Sequence, residues 1–301
     1  MPDRPHRYVP PDEDSGRWVG FRFRDGDIVV STRSKSGTTW MQMICAVLVL
    51  GTPDLPGPLS DLSPWLYQIT KQRDEVIADL EAQPHRRVIK THTPLDGIPL
   101  DPRATYIVVA RHPLDMAVSL YHQSQNIDRE RVRELTGADE AETAPTESLR
   151  EWLLAWIAAR SDPREELDSL PGVMWHLSDA WARRDTPNIV LCHYDDLSAD
   201  LDGEMRQLAD VLGISVPEEV WPDLVRAATF ESMKGRADQL LANRDGVFKD
   251  ISVFFRTGRS GSGREQLTDE ELAVYRERAG QLAPRDLLAW LHREHGGSSQ
   301  A

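Results

Sequence analysis

Residues 27–51, DIVVSTRSKSGTTWMQMICAVLVLG, constrain the fold more than any other stretch. The first six, DIVVST, are rich in Val and Ile and do not alternate apolar with polar residues, the pattern of a strand buried on both faces. A short polar loop carries Lys35, Ser36 and Gly37. A helix over 38–50 then follows, apolar nearly all round and stopped by Gly51. A wholly buried strand feeding a wholly buried helix requires a layered architecture in which helices cover a parallel sheet. Three further runs read as strands of that sheet: 87–91 (RVIKT), 105–110 (TYIVVA) and 188–192 (NIVLC). Helices are expected over 113–123, which opens on Pro113 at a first-turn position, and over 148–160, 175–183 and 204–212. Thr268 and Glu271 form a capping box for a helix reaching Gly280, and Pro284 opens a last helix over 285–295. The expected fold is therefore α/β, a central parallel β-sheet flanked by helices. It is read as one domain over 17–296, with a mobile arm over 1–16 and a flexible tail over 297–301. Residues 52–63, rich in proline, and the charged stretch 128–147 are expected to be irregular, the second a candidate lid.

Charge and cysteine content narrow the function classes. The chain has 35 basic and 49 acidic residues, a net charge of −14. That excess opposes a nucleic-acid partner held by bulk electrostatics, yet permits a small anion in a local basic site. Two cysteines, Cys45 and Cys192, are too few for a disulfide framework or a four-thiolate zinc site. No apolar run approaches the roughly 20 residues of a membrane span, and the first residues lack the apolar core of a signal peptide. A cytoplasmic protein without a transmembrane anchor is expected.

The loop between the first strand and helix has the chemistry of an anion site. Gly37 lets the backbone approach a ligand, the unpaired N–H groups of the helix start point at it, and Lys35, Ser36, Thr38 and Thr39 add side-chain donors. It is not a Walker A loop, because Lys35 precedes the glycine rather than following it. After the strand at 105–110 come Arg111, which offers a fork for a phosphate, and Ser119 two helical turns on. Both reach one anion if the ligand lies across the strand ends, where open α/β sheets bind ligands.

Six segments in order, KSGTTW (35–40), KTHTPL (90–95), ARHPLDMAVSLY (110–121), HYDDL (193–197), FESMK (230–234) and FFRTG (254–258), resemble the soluble, cytosolic-type sulfotransferases. These use 3′-phosphoadenosine 5′-phosphosulfate (PAPS). The resemblance implies a sulfotransferase fold related to P-loop nucleotide kinases. It also implies PAPS as co-substrate, adenosine 3′,5′-bisphosphate (PAP) as product, and no metal. By resemblance, 35–40 is the 5′-phosphosulfate loop and Arg111 with Ser119 the 3′-phosphate element. Trp40, Tyr194 and Phe230 border the adenine, Arg256, Thr257 and Gly258 close over the 3′-phosphate, and His92 is catalytic. The stretch DLPGPLSDLSPWL (54–66) further resembles actinobacterial enzymes acting on glycolipids. Three positions depart from the family pattern. Thr257 stands where a lysine is frequent, Ser262 follows Gly261 in place of an Asp-Trp pair, and Ala228 replaces a threonine. The late loop is therefore expected either to be less ordered or to close differently, with Arg259 or Arg264 as candidate replacements for the missing charge.

For sulfuryl transfer to an acceptor hydroxyl, positioning and charge stabilisation matter most. His92 suits the base, since an ordinary histidine is largely neutral at pH 7. Lys35 suits the charge growing on the leaving oxygen. Lys90, two residues from His92 on one strand, shares its face and can assist at the sulfuryl oxygens. The family implies that Ser119 restrains Lys35 until an acceptor arrives. The acceptor is expected to be a small hydrophobic or amphipathic hydroxyl compound, possible walls being Pro64, Trp65, Tyr67, Trp152, Trp156, Trp175 and His176. His292 and His295, three apart, are insufficient for zinc, and Asp195 and Asp196 read as turn residues. Two other classes compete: a nucleotide-dependent phosphotransferase, disfavoured by the lack of a Walker A loop, and a non-catalytic PAP-binding protein, disfavoured by His92 and Lys35 together. The sequence leaves the oligomeric state open.

Overall fold

Four parallel strands form the centre of the computed structural model, which describes residues 5–293 except 11, 12, 67, 69, 70, 138–143, 242 and 244. They are β1 (Ile28–Thr32), β2 (Val88–Thr91), β3 (Thr105–Ala110) and β4 (Ile189–His193), in the order β2-β1-β3-β4. The register runs from Ile28 opposite Val88 to Ser31 opposite Thr91, and Thr32 and Ala110 pair with Val109 and His193. The near-continuous apolar runs follow from cover on both faces. Val29, Ile89, Tyr106 and Val108 pack beneath the helices Pro113–Asn126, Leu149–Ala158 and Leu170–Ala182. Ile28, Val30, Val88 and Ile107 pack beneath Thr38–Leu50, Leu201–Leu212 and Trp221–Ala227. The chain leaves β1 to one side for β2 and returns to the other for β3. The crevice at the carboxyl ends of β1 and β3 is therefore the topological switch point, where such sheets bind ligands.

Several boundaries differ from expectation for identifiable reasons. The helix expected from 175 starts at Leu170, with Ser169 as cap; Pro171 and Gly172 in its first turn disguised the start. The helix Arg73–Ala82 was not anticipated, because only Val76 and Leu80 are buried and its apolar pattern is thin. The helix Asp269–Leu282, begun by the expected capping box, runs through Gly280. In the first half of the charged stretch 128–147, Asp128 caps a helix over Arg129–Thr136 that ends at Gly137. Residues 138–143 of the candidate lid lie outside the described residues. The last helix ends at His292, Arg293 turning to φ 55°; His295 and the expected tail lie outside the described residues.

The stretch expected to be a mobile arm is packed where it is described. Tyr8 is only 2% exposed. Its hydroxyl donates to Asp96 Oδ1 (2.8 Å) and accepts from Trp175 Nε1 (2.9 Å). Gly97 makes room for the ring, since a Cβ there would lie 2.5 Å from it. An aromatic ring with a satisfied hydroxyl gains enough on burial to offset the order it imposes on a polar segment.

Candidate active site

The carboxyl ends of the four strands open into one cleft of about 980 Å³, into which the strand ends deliver Arg33, His92, Arg111 and Tyr194. Lys35, Gly37, Thr38, Thr39, Trp40, Lys90, Ser119, Phe230, Arg256, Thr257 and Gly258 line the same cleft. Ser36 is buried in the loop, its N–H donating to the Arg33 carbonyl (3.2 Å). The site residues read from the sequence thus meet at one place.

The loop after β1 is held open by two left-handed residues, Lys35 at φ 62° and Gly37 at φ 108°. A non-glycine residue in that region stores strain, which is characteristic of ligand loops. Gly37 is the helix cap and offers no side chain, so the first-turn N–H groups are left for a ligand. A Cβ at Gly37 would lie 3.1 Å from the Tyr194 ring. Arg111 spans the crevice. It donates to the carbonyls of Lys35 (3.3 Å) and Arg259 (3.2 Å), and its guanidinium lies 4.3 Å from the Tyr194 ring centroid. Trp40 meets Tyr194 edge-on at 5.0 Å, and its Nε1 donates to the Ala228 carbonyl (2.8 Å). A backbone acceptor thus does local work at the position where a threonine was expected. The Lys35 ammonium lies 4.2 Å from the Phe254 ring centroid. Loss of solvent first, then the positive charges of Arg111, Lys90 and Arg256, pull it down to about 7.

His92 stands just beyond the end of β2. Its Nδ1 lies 2.6 Å from the Thr32 carbonyl, which can only accept, so Nδ1 carries the proton and the lone pair is on Nε2. The Trp65 ring lies edge-on at 4.9 Å, with the Lys90 ammonium 3.5 Å from that ring's centroid. Burial first, then the charges of Lys90 and Arg33, hold the imidazole well below its ordinary value despite the opposing bond to Thr32. It is therefore neutral at pH 7.

The late loop closes through an anchor that the sequence did not advertise. The carboxylate of Asp115, 2% exposed in the first turn of Pro113–Asn126, accepts from the N–H groups of Gly261 (2.8 Å) and Gly263 (2.7 Å) and from the Ser262 hydroxyl (3.2 Å). Gly263 sits so tightly on Leu114 that a Cβ would meet its backbone at 2.4 Å. Neither candidate replacement for the missing lysine enters the cleft. Arg259 pairs with Glu265, while Arg264 donates to His112 (3.4 Å) and to the His292 carbonyl (3.0 Å). Gly258, at φ 65°, rests on the Phe230 ring, 2.6 Å from where its Cβ would be.

Trp65, Trp152 and Trp156 line the cleft, the last two parallel within 19°. The Pro64 carbonyl instead accepts from Lys90 N–H (3.2 Å), and Trp175 bonds Tyr8. His176 is fully buried behind β1, its Nε2 3.3 Å from Ser31 Oγ, and burial with Arg33 nearby takes it down to about 3. These three do not line the cleft: Pro64 bonds the β2 backbone, Trp175 bonds Tyr8, and the helix Leu170–Ala182 turns His176 toward the sheet. Tyr67 lies outside the described residues. Among the described residues no three His, Cys, Asp or Glu side chains converge on a metal position. Arg33 and Asp168, which the sequence does not mark as site residues, also line the cleft.

Comparison with known proteins gives a consistent picture. The model of the sulfotransferase domain family matches residues 25–284. A glycolipid sulfotransferase of Mycobacterium bovis is 42% identical over 308 residues, covering 96% of this chain and 94% of that protein. A mouse sulfotransferase solved in complex with PAP superposes with a TM-score of 0.68 at 20% identity, over 93% of this chain and 91% of the other. Retinol dehydratase, solved with retinol and PAP, gives 0.67 at 21%, over 89% and 84%.

Proposed function

The chain belongs to the sulfotransferase family, and from that premise we propose that it moves the sulfuryl group of PAPS to a hydroxyl of an amphipathic acceptor, with His92 as the base. PAPS supplies an activated sulfuryl group on a leaving group that carries phosphates at both ends. Several features fit such a donor. The strained loop and open helix start suit its 5′ side. Arg111, Ser119, Arg256 and Gly258 line the same cleft and could serve a second phosphate, and Trp40, Tyr194 and Phe230 offer flat surfaces suited to an adenine. A basic cleft on a chain of net charge −14 concentrates its attraction at one place.

Lys35 neutralises charge that grows on the leaving oxygen, and the approach of anionic groups returns its own proton affinity toward the ordinary range. His92 takes the acceptor proton at Nε2. Its depressed affinity for protons keeps it deprotonated before the donor binds. A bound anion offsets the charges of Lys90 and Arg33 and makes it a stronger base when needed. Lys90, held against Trp65, stands on the same side to stabilise the transferring group. The tryptophan lining of the cleft suits a glycolipid or similar molecule, the substrate class named for the mycobacterial relative. No described helix is long and apolar enough to cross a membrane. Two unbridged, buried cysteines fit a cytoplasmic setting.

The observation that carries this reading is the His92–Thr32 bond, which fixes the tautomer with its lone pair on Nε2, in a ring that lies edge-on to Trp65 in the same cleft as the anion loop. His92→Gln tests it. Turnover with labelled PAPS should fall by about 10²–10⁴-fold, while PAP affinity stays within about twofold of wild type. Near-full turnover in the variant would refute the assignment.

A further inference from the structure

Beyond the ladder that pairs Ser31 with Thr91, three consecutive residues of the β1 end are stitched to His92 and Thr93. Ser31 Oγ donates to the Thr93 carbonyl (2.9 Å), the Thr32 carbonyl accepts from His92 Nδ1 (2.6 Å), and Arg33 donates to the His92 carbonyl. The third is unlike the others because it is charged and leads onward. The Arg33 guanidinium, 5% exposed, donates with its other arm to Asp168 Oδ1 (2.7 Å). Asp168 closes the connection before the helix Leu170–Ala182, and its own carbonyl accepts from Trp156 Nε1 (2.8 Å), part of the aromatic wall. A continuous set of bonds therefore runs from the acceptor wall through Asp168 and Arg33 to the backbone of His92.

We propose that Arg33 and Asp168 form a positioning pair that holds His92 in place and ties it to the wall that receives the acceptor. This deepens the reading of His92 as the base and rests on it. A guanidinium is suited to the task, since it offers two arms in one rigid plane and stays charged when buried. Its position has an electrical consequence as well. Three positive or ionisable groups bear on the imidazole: Lys90 from β2, Arg33 from the loop after β1, and His176 from the helix Leu170–Ala182. Trp65 adds an uncharged ring. Asp168 stands behind Arg33 as the counter-charge that moderates its influence. Removing Arg33 and removing Asp168 therefore push the His92 titration in opposite directions, which a merely structural role for the pair would not do.

The test uses the full chain with ¹³C-labelled histidine, His92→Gln identifying the His92 signal among the nine histidines. In Arg33→Met the signal should titrate at higher pH than in wild type, and in Asp168→Asn at lower pH. With PAPS and an acceptor, both variants should lose about 10–100-fold in kcat, as expected when a reacting group is misplaced, with PAP affinity within about twofold of wild type. The double variant should be no worse than Arg33→Met alone. Arg33→Lys keeps the charge and loses the fork, so kcat should fall while the titration stays where it was, and it serves if Arg33→Met does not fold. An unmoved His92 titration in Arg33→Met, a shift of the same sign in both single variants, or fully additive losses would overturn the proposal. The titration needs neither PAPS nor acceptor, so its failure is distinct from a failure of the wild type to sulfate anything, which would count against His92 as the base.

Discussion

Binding of PAP should draw a proton from solution onto Lys35, and the size of the effect follows from the site. Burial and the charges of Arg111, Lys90 and Arg256 bring Lys35 down to about 7 in the empty cleft. At pH 8 about 0.9 of the free protein then carries a neutral Lys35, and at pH 7 about 0.5. A bisphosphate within reach offsets the repelling arginines and restores the ammonium. Complex formation should therefore take up about 0.9 proton at pH 8, and the share due to Lys35 falls to about 0.5 at pH 7 and about 0.1 at pH 6, where the ligand's own phosphates also begin to exchange protons. Other groups contribute little at pH 8: His92 remains neutral, and phosphate monoesters, with second ionisation near pH 6, are already fully ionised. Calorimetric titrations at pH 8 in two buffers of different ionisation enthalpy give the proton number as a slope. Lys35→Met should abolish the uptake. An uptake below about 0.2 in wild type at pH 8, or one that persists in Lys35→Met, would show that the cleft does not perturb Lys35 as described. The same displacement sets a sign for stability. Between about 7 and the ordinary 10.5 the unfolded chain holds more protons at this site, so its contribution makes the ligand-free fold more stable as pH rises through that window.

Two loop substitutions extend the account. Gly258→Ala places a Cβ 2.6 Å from the Phe230 ring on a backbone at φ 65°, so titration calorimetry should show weaker PAP binding, with a fold that melts within a few degrees of wild type. Asp115→Ala leaves the Gly261 and Gly263 N–H groups without their acceptor and should cost about 1–3 kcal/mol in chemical denaturation, with PAP affinity reduced as well. Asp115→Asn, which retains one acceptor oxygen, should lose less on both measures.

Most of the fold was legible because this sheet is buried on both faces. The runs at 28–32, 105–110 and 189–192 leave little choice of partner, and the apolar helix Thr38–Leu50 is bounded by Gly37 and Gly51. Elements whose stability comes from a few contacts were harder to see, as with Arg73–Ala82, where two buried side chains anchor an otherwise polar helix. The residues proposed to touch a nucleotide or reacting group were legible as candidates because phosphate and proton chemistry demand particular side chains next to glycine loops and strand ends, and the fold brings them into one cleft. The residues that hold them were not. Asp115 has the look of an ordinary first-turn acid, and only the folded chain brings the glycines of 261–263 onto its carboxylate. Arg33 and Asp168 are 135 residues apart, and their pairing depends on how the connection before Leu170 returns to the β1 end. The packing of Tyr8 was hidden for the same reason, since its partners Asp96 and Trp175 are distant in sequence.

The central claim is that the cleft at the strand ends recognises a nucleotide with phosphates at both its 3′ and 5′ positions. Thermal melting with PAP, ATP and 5′-AMP in parallel tests it most directly. Ligand at 100 times its dissociation constant should stabilise the protein by about 2.7 kcal/mol, a clear rise in melting temperature. The account predicts that rise with PAP, little or none with ATP or 5′-AMP at the same concentration, and its loss in Arg111→Met. An equal rise with ATP, or none with PAP, would contradict it.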